Sequence, residues 1–167
     1  MGLLGVYLAI DQDTLDNLRK FDGDELIEEL DELQESDGIE IYNIDKLWDG
    51  LHFLLTGVSA TSPIQGNKLS EAIVGVDFFE TDDEDFVSYT EKDKLSEIYN
   101  AMKNVNIKEL EEKFDPKIFK KNKIYPAIWK TDKKDELFKD LINEYNGLLS
   151  FYQKALEKNM HIVFSVF

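Results

Sequence analysis

The stretch KDELFKDLINEYNGLLSFYQKALEKNMHIVFSVF, residues 134–167, joins the longest helical pattern in the chain to an apolar segment at its end. Apolar residues recur in it at intervals of three and four, the spacing of one helix face. They are Leu137, Phe138, Leu141, Ile142, Tyr145, Leu148, Leu149, Tyr152 and Leu156. The segment HIVFSVF, residues 161–167, is rich in β-branched and aromatic residues and predicts a closing strand.

The rest of the chain predicts several more helices and only a few strands. LLGVYLAI at residues 3–10 and FVSYT at 86–90 are typical of strands, whereas IEIYNI at 39–44 fits a strand or the lead-in to the next helix. The strands do not alternate regularly with the helices, which favours an α+β fold over an α/β fold. We therefore expect one compact domain over residues 1–167, with helices packed on a small sheet and the first and last strands together.

Charge is the strongest global feature. The 167 residues carry a net charge of −16, and residues 1–57 hold 15 acidic side chains against 3 basic ones. Such a molecule repels phosphate backbones and anionic membranes, so we expect neither nucleic-acid nor membrane binding. Basic residues do flank aromatic ones near the chain's third quarter, a pattern that single-stranded nucleic acid can use, although local charge balance explains it better. They are Lys121, Lys123 and Lys130, beside Tyr125, Pro126 and Trp129.

The segment GDELIEELDELQES, residues 23–36, predicts an amphipathic helix with an acidic outer face. Its apolar face consists of Leu26, Ile27, Leu30 and Leu33. The outer face would attract a basic protein at long range. We take it as the candidate partner-binding surface, made of Glu25, Glu28, Glu29, Asp31, Glu32 and Glu35.

Several classes of site are absent from the sequence. It contains no Cys, which excludes disulfides, Cys-ligated zinc, iron–sulfur clusters and thiol catalysis. No glycine-rich nucleotide-binding motif occurs, and the acidic segment ETDDEDF at 80–86 lacks the spacing of a calcium loop and predicts a solvated loop. No apolar run approaches the roughly 20 residues of a membrane span. We expect a cytoplasmic protein without a metal or cofactor.

The segment DKLWDGLHFLLTG, residues 45–57, carries one of the two histidines of the chain. On a helix, Asp49, His52 and Thr56 share one face, and a hydroxyl-rich loop with Ser59, Thr61 and Ser62 follows directly. Asp49 could therefore orient His52 as a general base near a serine. However, no nucleophile elbow or oxyanion hole is evident, and a helix C-terminus has the wrong polarity for an anion. The alternatives are a ligand pocket lined by Trp48, Asp49, His52, Thr56 and Ser59, or a structural role in which His52 braces the loop.

Three motifs in this order resemble the YfbM-like family, a group of small bacterial α+β proteins of unknown function. They are LWDGLHFLLTGVSA, KLSEAIVG and IYPAIW, and the opening MGLLGVYLAID and the closing HIVFSVF match as well. The most specific pattern, W-D-x-L-H-F-x-L-T-G-x-S-A, runs from Trp48 to Ala60. The resemblance implies an α+β fold over nearly the whole chain and brings no activity, cofactor or catalytic residue.

Two functional hypotheses follow. The first is a non-enzymatic acidic module that binds a basic partner protein, as a small acidic immunity protein binds its toxin. The second is a small-ligand-binding protein or enzyme that uses a pocket around His52.

Overall fold

The computed structural model describes residues 2–82 and 84–167, and within them five strands form one antiparallel sheet. The order across the sheet is β2-β1-β5-β4-β3. The strands are β1 (Gly5–Ile10), β2 (Glu40–Asp45), β3 (Asp77–Phe78), β4 (Phe86–Thr90) and β5 (His161–Val166). The first and last strands are neighbours, with Leu8 opposite Val163, so the predicted pairing of β1 with β5 is confirmed.

Eight α-helices lie between the strands in the part of the chain that the structure describes. They are α1 (Gln12–Leu18), α2 (Gly23–Glu35), α3 (Trp48–Thr56), α4 (Lys68–Val74), α5 (Leu95–Lys103), α6 (Ile107–Lys113), α7 (Pro116–Lys121) and α8 (Lys134–Glu157). Local signals set their ends: Asp11 caps α1 by accepting a hydrogen bond from the Thr14 amide, and Pro116 occupies the first turn of α7. The α+β prediction is confirmed.

The sheet separates two apolar cores because successive side chains of a strand point to opposite faces. Val6 and Leu8 of β1 face the smaller core, which α1 and α2 cover with residues such as Leu26 and Leu30. Tyr7 faces the larger core, which contains the buried faces of α3, α4, α5 and α8. The acidic helix therefore lies on one face of the sheet, and the helix that carries His52 lies on the other.

Two helical glycines allow close packing in the larger core. A Cβ atom on Gly50 of α3 would lie 2.6 Å from Cη2 of Trp129, so a glycine at this position allows the two to pack closely. On α8, a Cβ atom on Gly147 would collide with the Tyr42 ring. The Tyr42 hydroxyl donates to the Glu144 carboxylate at 2.5 Å, and burial raises the pKa of Glu144.

The structure departs from the predictions at two places. The spacing of Leu95, Ile98, Tyr99 and Met102 predicts a helix over residues 91–105, but this segment begins as a 3₁₀ turn over Lys92–Lys94, and the α-helix occupies only Leu95–Lys103. The two-residue strand β3 was not predicted; it pairs with β4 between Asp77 and Tyr89. The predicted acidic loop at 80–86 includes Asp83, which lies outside the described residues.

Candidate functional site

Helix α3 points its polar candidate residues into the protein. Asp49 is 3% exposed and His52 is 0% exposed, whereas Thr56 is half-buried near the helix end. Gly57 ends the helix in the left-handed conformation, with φ of 80°, as the Gly at that position predicts. Both polar side chains thus lie behind the loop at residues 58–67, and the His52 ring does not face solvent.

Hydrogen bonds occupy both ring nitrogens of His52. Nδ1 lies 2.8 Å from the Val58 carbonyl oxygen, which can only accept, so Nδ1 carries the proton. Nε2 lies 2.7 Å from Oγ of Ser70 and therefore accepts from its hydroxyl in the neutral ring. Burial lowers the pKa of His52. The Val58 carbonyl and the Asp49 carboxylate both raise it, but burial has the larger effect. The environment favours the neutral imidazole.

Ser70 is the residue that the sequence analysis did not single out. It lies in α4, is 0% exposed, and its Oγ also accepts from the Ile64 amide at 2.9 Å. A signal for it was present in the motif KLSEAIVG, because Ser70 shares a helix face with the apolar residues Ile73 and Val74. Ser70 therefore connects His52 to the far end of the loop.

Asp49 does not form the expected orienting bond with His52. Its Oδ1 accepts instead from the Ser59 hydroxyl and the Ala60 amide, each at 2.8 Å, and its Oδ2 accepts from the Tyr125 amide at 2.9 Å. The Asp49–His52 pairing that the sequence allows is not formed, because a buried carboxylate takes the nearest backbone and hydroxyl donors, and the loop brings those to Asp49. The bonds of His52 go instead to Val58 and Ser70.

The other two candidates of α3 also make structural contacts. The Trp48 indole donates to the Leu3 carbonyl oxygen at 3.0 Å, and its ring stacks on Tyr125 with the centroids 5.5 Å apart. The Thr56 hydroxyl donates to the His52 carbonyl oxygen at 2.8 Å. The structure thus brings Asp49, His52 and Thr56 together around the loop that contains Ser59, whereas Trp48 contacts Leu3 and Tyr125.

The Ser70–His52 pair has the geometry of a serine and its base but lacks the other parts of an acyl-transfer site. The Ser70 hydroxyl is enclosed, and the first free amides of α4, at Leu69 and Ser70, are capped by the Asn67 side chain. Those amides are therefore not available to stabilise an oxyanion. The hydroxyl of Ser59 contacts Asp49 and Thr61 rather than His52.

Two cavities lie along the braced loop and share Val74 in their linings. The larger has a volume of about 780 Å³, and its lining includes Ile64, Gly66, Ser70, Glu71, Asp77 and Lys94. The smaller has a volume of about 220 Å³, and its lining includes Trp48, Ala60 and Thr61. The loop supported by Asp49, His52 and Ser70 therefore forms part of the wall of both cavities.

The acidic face of α2 is presented to solvent as the sequence predicts. Glu25, Glu28, Asp31, Glu32 and Glu35 are exposed, and Glu29 is half-buried. The helix contains no Lys or Arg. No ion pair involves any of these six carboxylates within residues 2–82 and 84–167. In the described part of the chain, no basic side chain therefore forms an ion pair with this face.

The aromatic residues of the basic segment are largely committed to packing. Trp129 is 5% exposed, and its indole donates to the Ile124 carbonyl oxygen at 2.8 Å. Tyr125 stacks on Trp48, whereas Lys121, Lys123 and Lys130 are exposed. Trp129 thus offers no open face on which a nucleotide base could stack.

The second histidine, His161, is also enclosed. Its Nδ1 accepts from the Lys92 amide, so the proton lies on Nε2, which donates to Oε1 of Gln12; both distances are 2.9 Å. Among the residues that the structure describes, no cluster of three His, Asp or Glu side chains could hold a metal ion. No described helix is long and apolar enough to cross a bilayer.

Comparison with known proteins shows one family over nearly the whole chain. The chain is 27% identical over 162 residues to Protein YfbM of Escherichia coli strain K12, and the match covers 96% of each chain. The crystal structure of YfbM from Escherichia coli, titled as a protein of unknown function, superposes with a TM-score of 0.80 at 26% identity and covers 98% of this chain and 99% of that one. The family model described as "Domain of unknown function (DUF1877)" matches residues 1–165, and the chain belongs to this family.

Proposed function

We propose that this protein is a non-enzymatic acidic module that binds a basic partner protein through α2. The main support for this proposal is that the six outer carboxylates of α2 form no ion pair with a described residue. Repulsion among unpaired carboxylates on one face opposes the compact state, and a basic partner relieves it. The same charges speed association with such a partner.

The position of α2 supports this role. Leu26 and Leu30 anchor the helix on the smaller core, with both side chains 0% exposed, so the acidic face is held by a rigid element. A rigid surface loses little conformational freedom on binding. Like the immunity proteins that neutralise toxins, the module would act by occupying a basic surface of its partner.

Charge reversal tests this proposal. Glu25→Lys, Glu28→Lys and Glu32→Lys together reverse the charge at three positions and cancel the net charge of the six-carboxylate face of α2. A matched control, Glu109→Lys, Glu111→Lys and Glu112→Lys, changes the net charge equally on α6, where all three side chains are also exposed. Affinity capture at low salt, followed by titration of the purified partner, compares the two variants with the unmodified protein.

We expect a stoichiometric basic partner to bind the unmodified protein and the α6 variant, with affinity that falls as salt rises. The α2 variant should lose this binding. Equal binding by the α2 variant, or a complex that salt does not weaken, would overturn the proposal.

We propose a small-ligand site in the larger cavity as the second candidate. Its volume of about 780 Å³ lies within the roughly 300–1,000 Å³ of ligand pockets. Its lining carries charges of both signs, with Lys94 3.3 Å from Asp77 and Glu71 paired with Lys68 at 3.0 Å, which suits a zwitterion. In this role Asp49 and His52 hold the loop that forms the cavity wall and do not touch the ligand.

Thermal melting with a panel of free amino acids tests the second candidate. A bound ligand stabilises the protein by mass action and raises the melting temperature. Gln65→Trp should obstruct the part of the cavity that Gln65 lines and weaken that rise, whereas Gln65→Ala should keep it. If no amino acid changes the melting temperature of the unmodified protein, the zwitterion site is rejected.

A further inference from the structure

The smaller cavity beside Trp48 is an apolar depression at the protein surface, which we call the socket. Its floor consists mostly of buried residues: Trp48, Ala60, Val74, Phe164 and Val166. Its rim consists of Leu3, Thr61, Glu84, Asp85 and Phe86. At about 220 Å³ the socket is smaller than the roughly 300 Å³ of the smallest typical ligand pockets. This size suits a single apolar side chain.

Exposed apolar groups continue the socket at the surface. Leu3 on the rim is 39% exposed. Phe78 is 52% exposed and packs edge-on against Phe86, with the ring centroids 5.4 Å apart. Contiguous exposed apolar groups around a depression are typical of protein-binding sites.

The charged side chains of the rim are all acidic. Glu84 is exposed, Asp85 is half-buried, and the lining contains no Lys or Arg. The hairpin that carries them is joined to the start of α2, where the Gly23 amide donates to the Glu80 carbonyl oxygen at 3.1 Å. Acidic side chains therefore extend from α2 around the end of the sheet to the socket.

We propose that the socket takes one apolar side chain of a partner protein in which Lys or Arg residues flank that side chain. The proposal rests on the proposed binding of a basic partner and names the contact that would anchor it. An apolar anchor in a pocket with charged neighbours at its rim is the usual arrangement of an interface hot spot. A second copy of this chain is a poor occupant, because its net charge of −16 would oppose the acidic rim.

Three pentapeptides test the socket directly. One has Phe between two pairs of Lys; the second replaces the Phe with Ala, and the third replaces each Lys with Glu. The side-chain N–H signals of the two tryptophans report binding by NMR. The Trp48 indole bonds to Leu3 on the rim, whereas the Trp129 indole bonds to Ile124 in the core and serves as the internal control.

We expect the Phe–Lys peptide to shift the Trp48 signal and to leave the Trp129 signal unchanged. The Ala and Glu peptides should bind at least about tenfold more weakly. The Ala peptide lacks the apolar side chain that fills the socket, and the Glu peptide lacks the positive charges that the acidic rim attracts. Equal binding by either comparison peptide would overturn the proposal. A Trp48 signal that moves with protein concentration alone would assign the socket to a second copy and would overturn it as well.

Two pairs of variants locate the binding. Thr61→Phe should fill the mouth of the socket and abolish the Trp48 shift, whereas Thr61→Val removes the hydroxyl that bonds Ser59 without filling it and should keep the shift. Glu84→Lys should weaken binding several-fold, and Glu109→Lys on the distant α6 should not. Unchanged binding by Thr61→Phe would place the peptide elsewhere.

The experiments distinguish a failure of the socket proposal from a failure of the proposed binding through α2. If the α2 charge-reversal variant loses the partner but Thr61→Phe keeps it, the acidic face binds and the socket does not. If the Phe–Lys peptide binds in the socket but reversal of α2 leaves partner binding intact, the socket stands and the role of α2 is rejected.

Discussion

His52 and Ser70 lie 18 residues apart in the chain, and their Nε2 and Oγ atoms lie 2.7 Å apart. The bond joins α3 to α4 across the loop at residues 58–67. His52 also holds Val58 at the start of that loop, and Ser70 holds Ile64 near its end. One buried pair of side chains therefore sets the position of a loop that forms part of the wall of both cavities.

Ser70→Ala should destabilise the protein by about 1–3 kcal/mol, because it leaves the half-buried Ile64 amide and the buried His52 Nε2 without their Ser70 partner. For a chain of this size we expect a fall in melting temperature of about 2–4 °C per kcal/mol. Hydrogen exchange at Ile64 should also accelerate. Ser96→Ala, on the exposed face of α5, should change neither quantity; equal effects of the two changes would contradict the bracing role of Ser70.

Asp49→Asn should be destabilising even though it conserves shape. Asn has one acceptor oxygen and one amide donor, so it cannot accept from Ser59, Ala60 and Tyr125 as the carboxylate does. At least one buried N–H loses its acceptor, which costs about 1–3 kcal/mol. Chemical denaturation measures the loss, and Asp37→Asn at an exposed position is the control. Unchanged stability of Asp49→Asn would show that the carboxylate charge is dispensable.

The candidate site could be predicted only in part from the sequence. Helical spacing predicts that Asp49, His52 and Thr56 share one face of a helix, because that relationship is local. The burial of Asp49 and His52 follows only from the tertiary structure. Their partners are not local: Asp49 bonds to Tyr125, 76 residues away, and His52 bonds to Ser70. Spacing within one helix carries no information on such contacts, so the sequence could not decide between an Asp49–His52 pair, a ligand pocket and a bracing role for His52.

The fold was more predictable because its main elements have strong periodic patterns. Helix α8 and strand β5 follow the predicted pattern closely, since both bury long apolar faces. Strand β3 has only two residues, Asp77 and Phe78, and is defined by its pairing with β4 rather than by its own sequence. The 3₁₀ turn at Lys92–Lys94 was missed because its polar residues also suit an α-helix.

Gly50→Ala should destabilise the protein despite the higher helix propensity of Ala. The added Cβ would lie 2.6 and 2.7 Å from two ring atoms of Trp129, and overpacking of this kind costs about 1–3 kcal/mol. Trp129→Phe removes those ring atoms. In a double-mutant cycle, Gly50→Ala should therefore cost less in the Trp129→Phe background. Additive effects of the two changes would mean that the close approach is not the cause.

The two histidines predict a loss of stability in mild acid. Burial is the largest cause of the lowered pKa of both His52 and His161, so the folded protein favours the neutral rings. The unfolded chain protonates near the ordinary value of about 6.5. As the pH falls through that value, the unfolded state binds protons first, and the free energy of unfolding decreases until the folded-state pKa values are reached. Above about pH 7 neither histidine makes the free energy of unfolding depend on pH.

Denaturant unfolding at pH 7.5, 6.5 and 5.5 measures this effect, because this range spans the ordinary pKa of histidine and lies above the ordinary pKa of a free carboxyl side chain. His161→Gln should reduce the slope, since Gln can still offer an acceptor to the Lys92 amide and a donor to Gln12 but cannot titrate. The double variant with His52→Gln should remove most of the remainder. A slope that survives in the double variant would assign the acid sensitivity to the carboxylates.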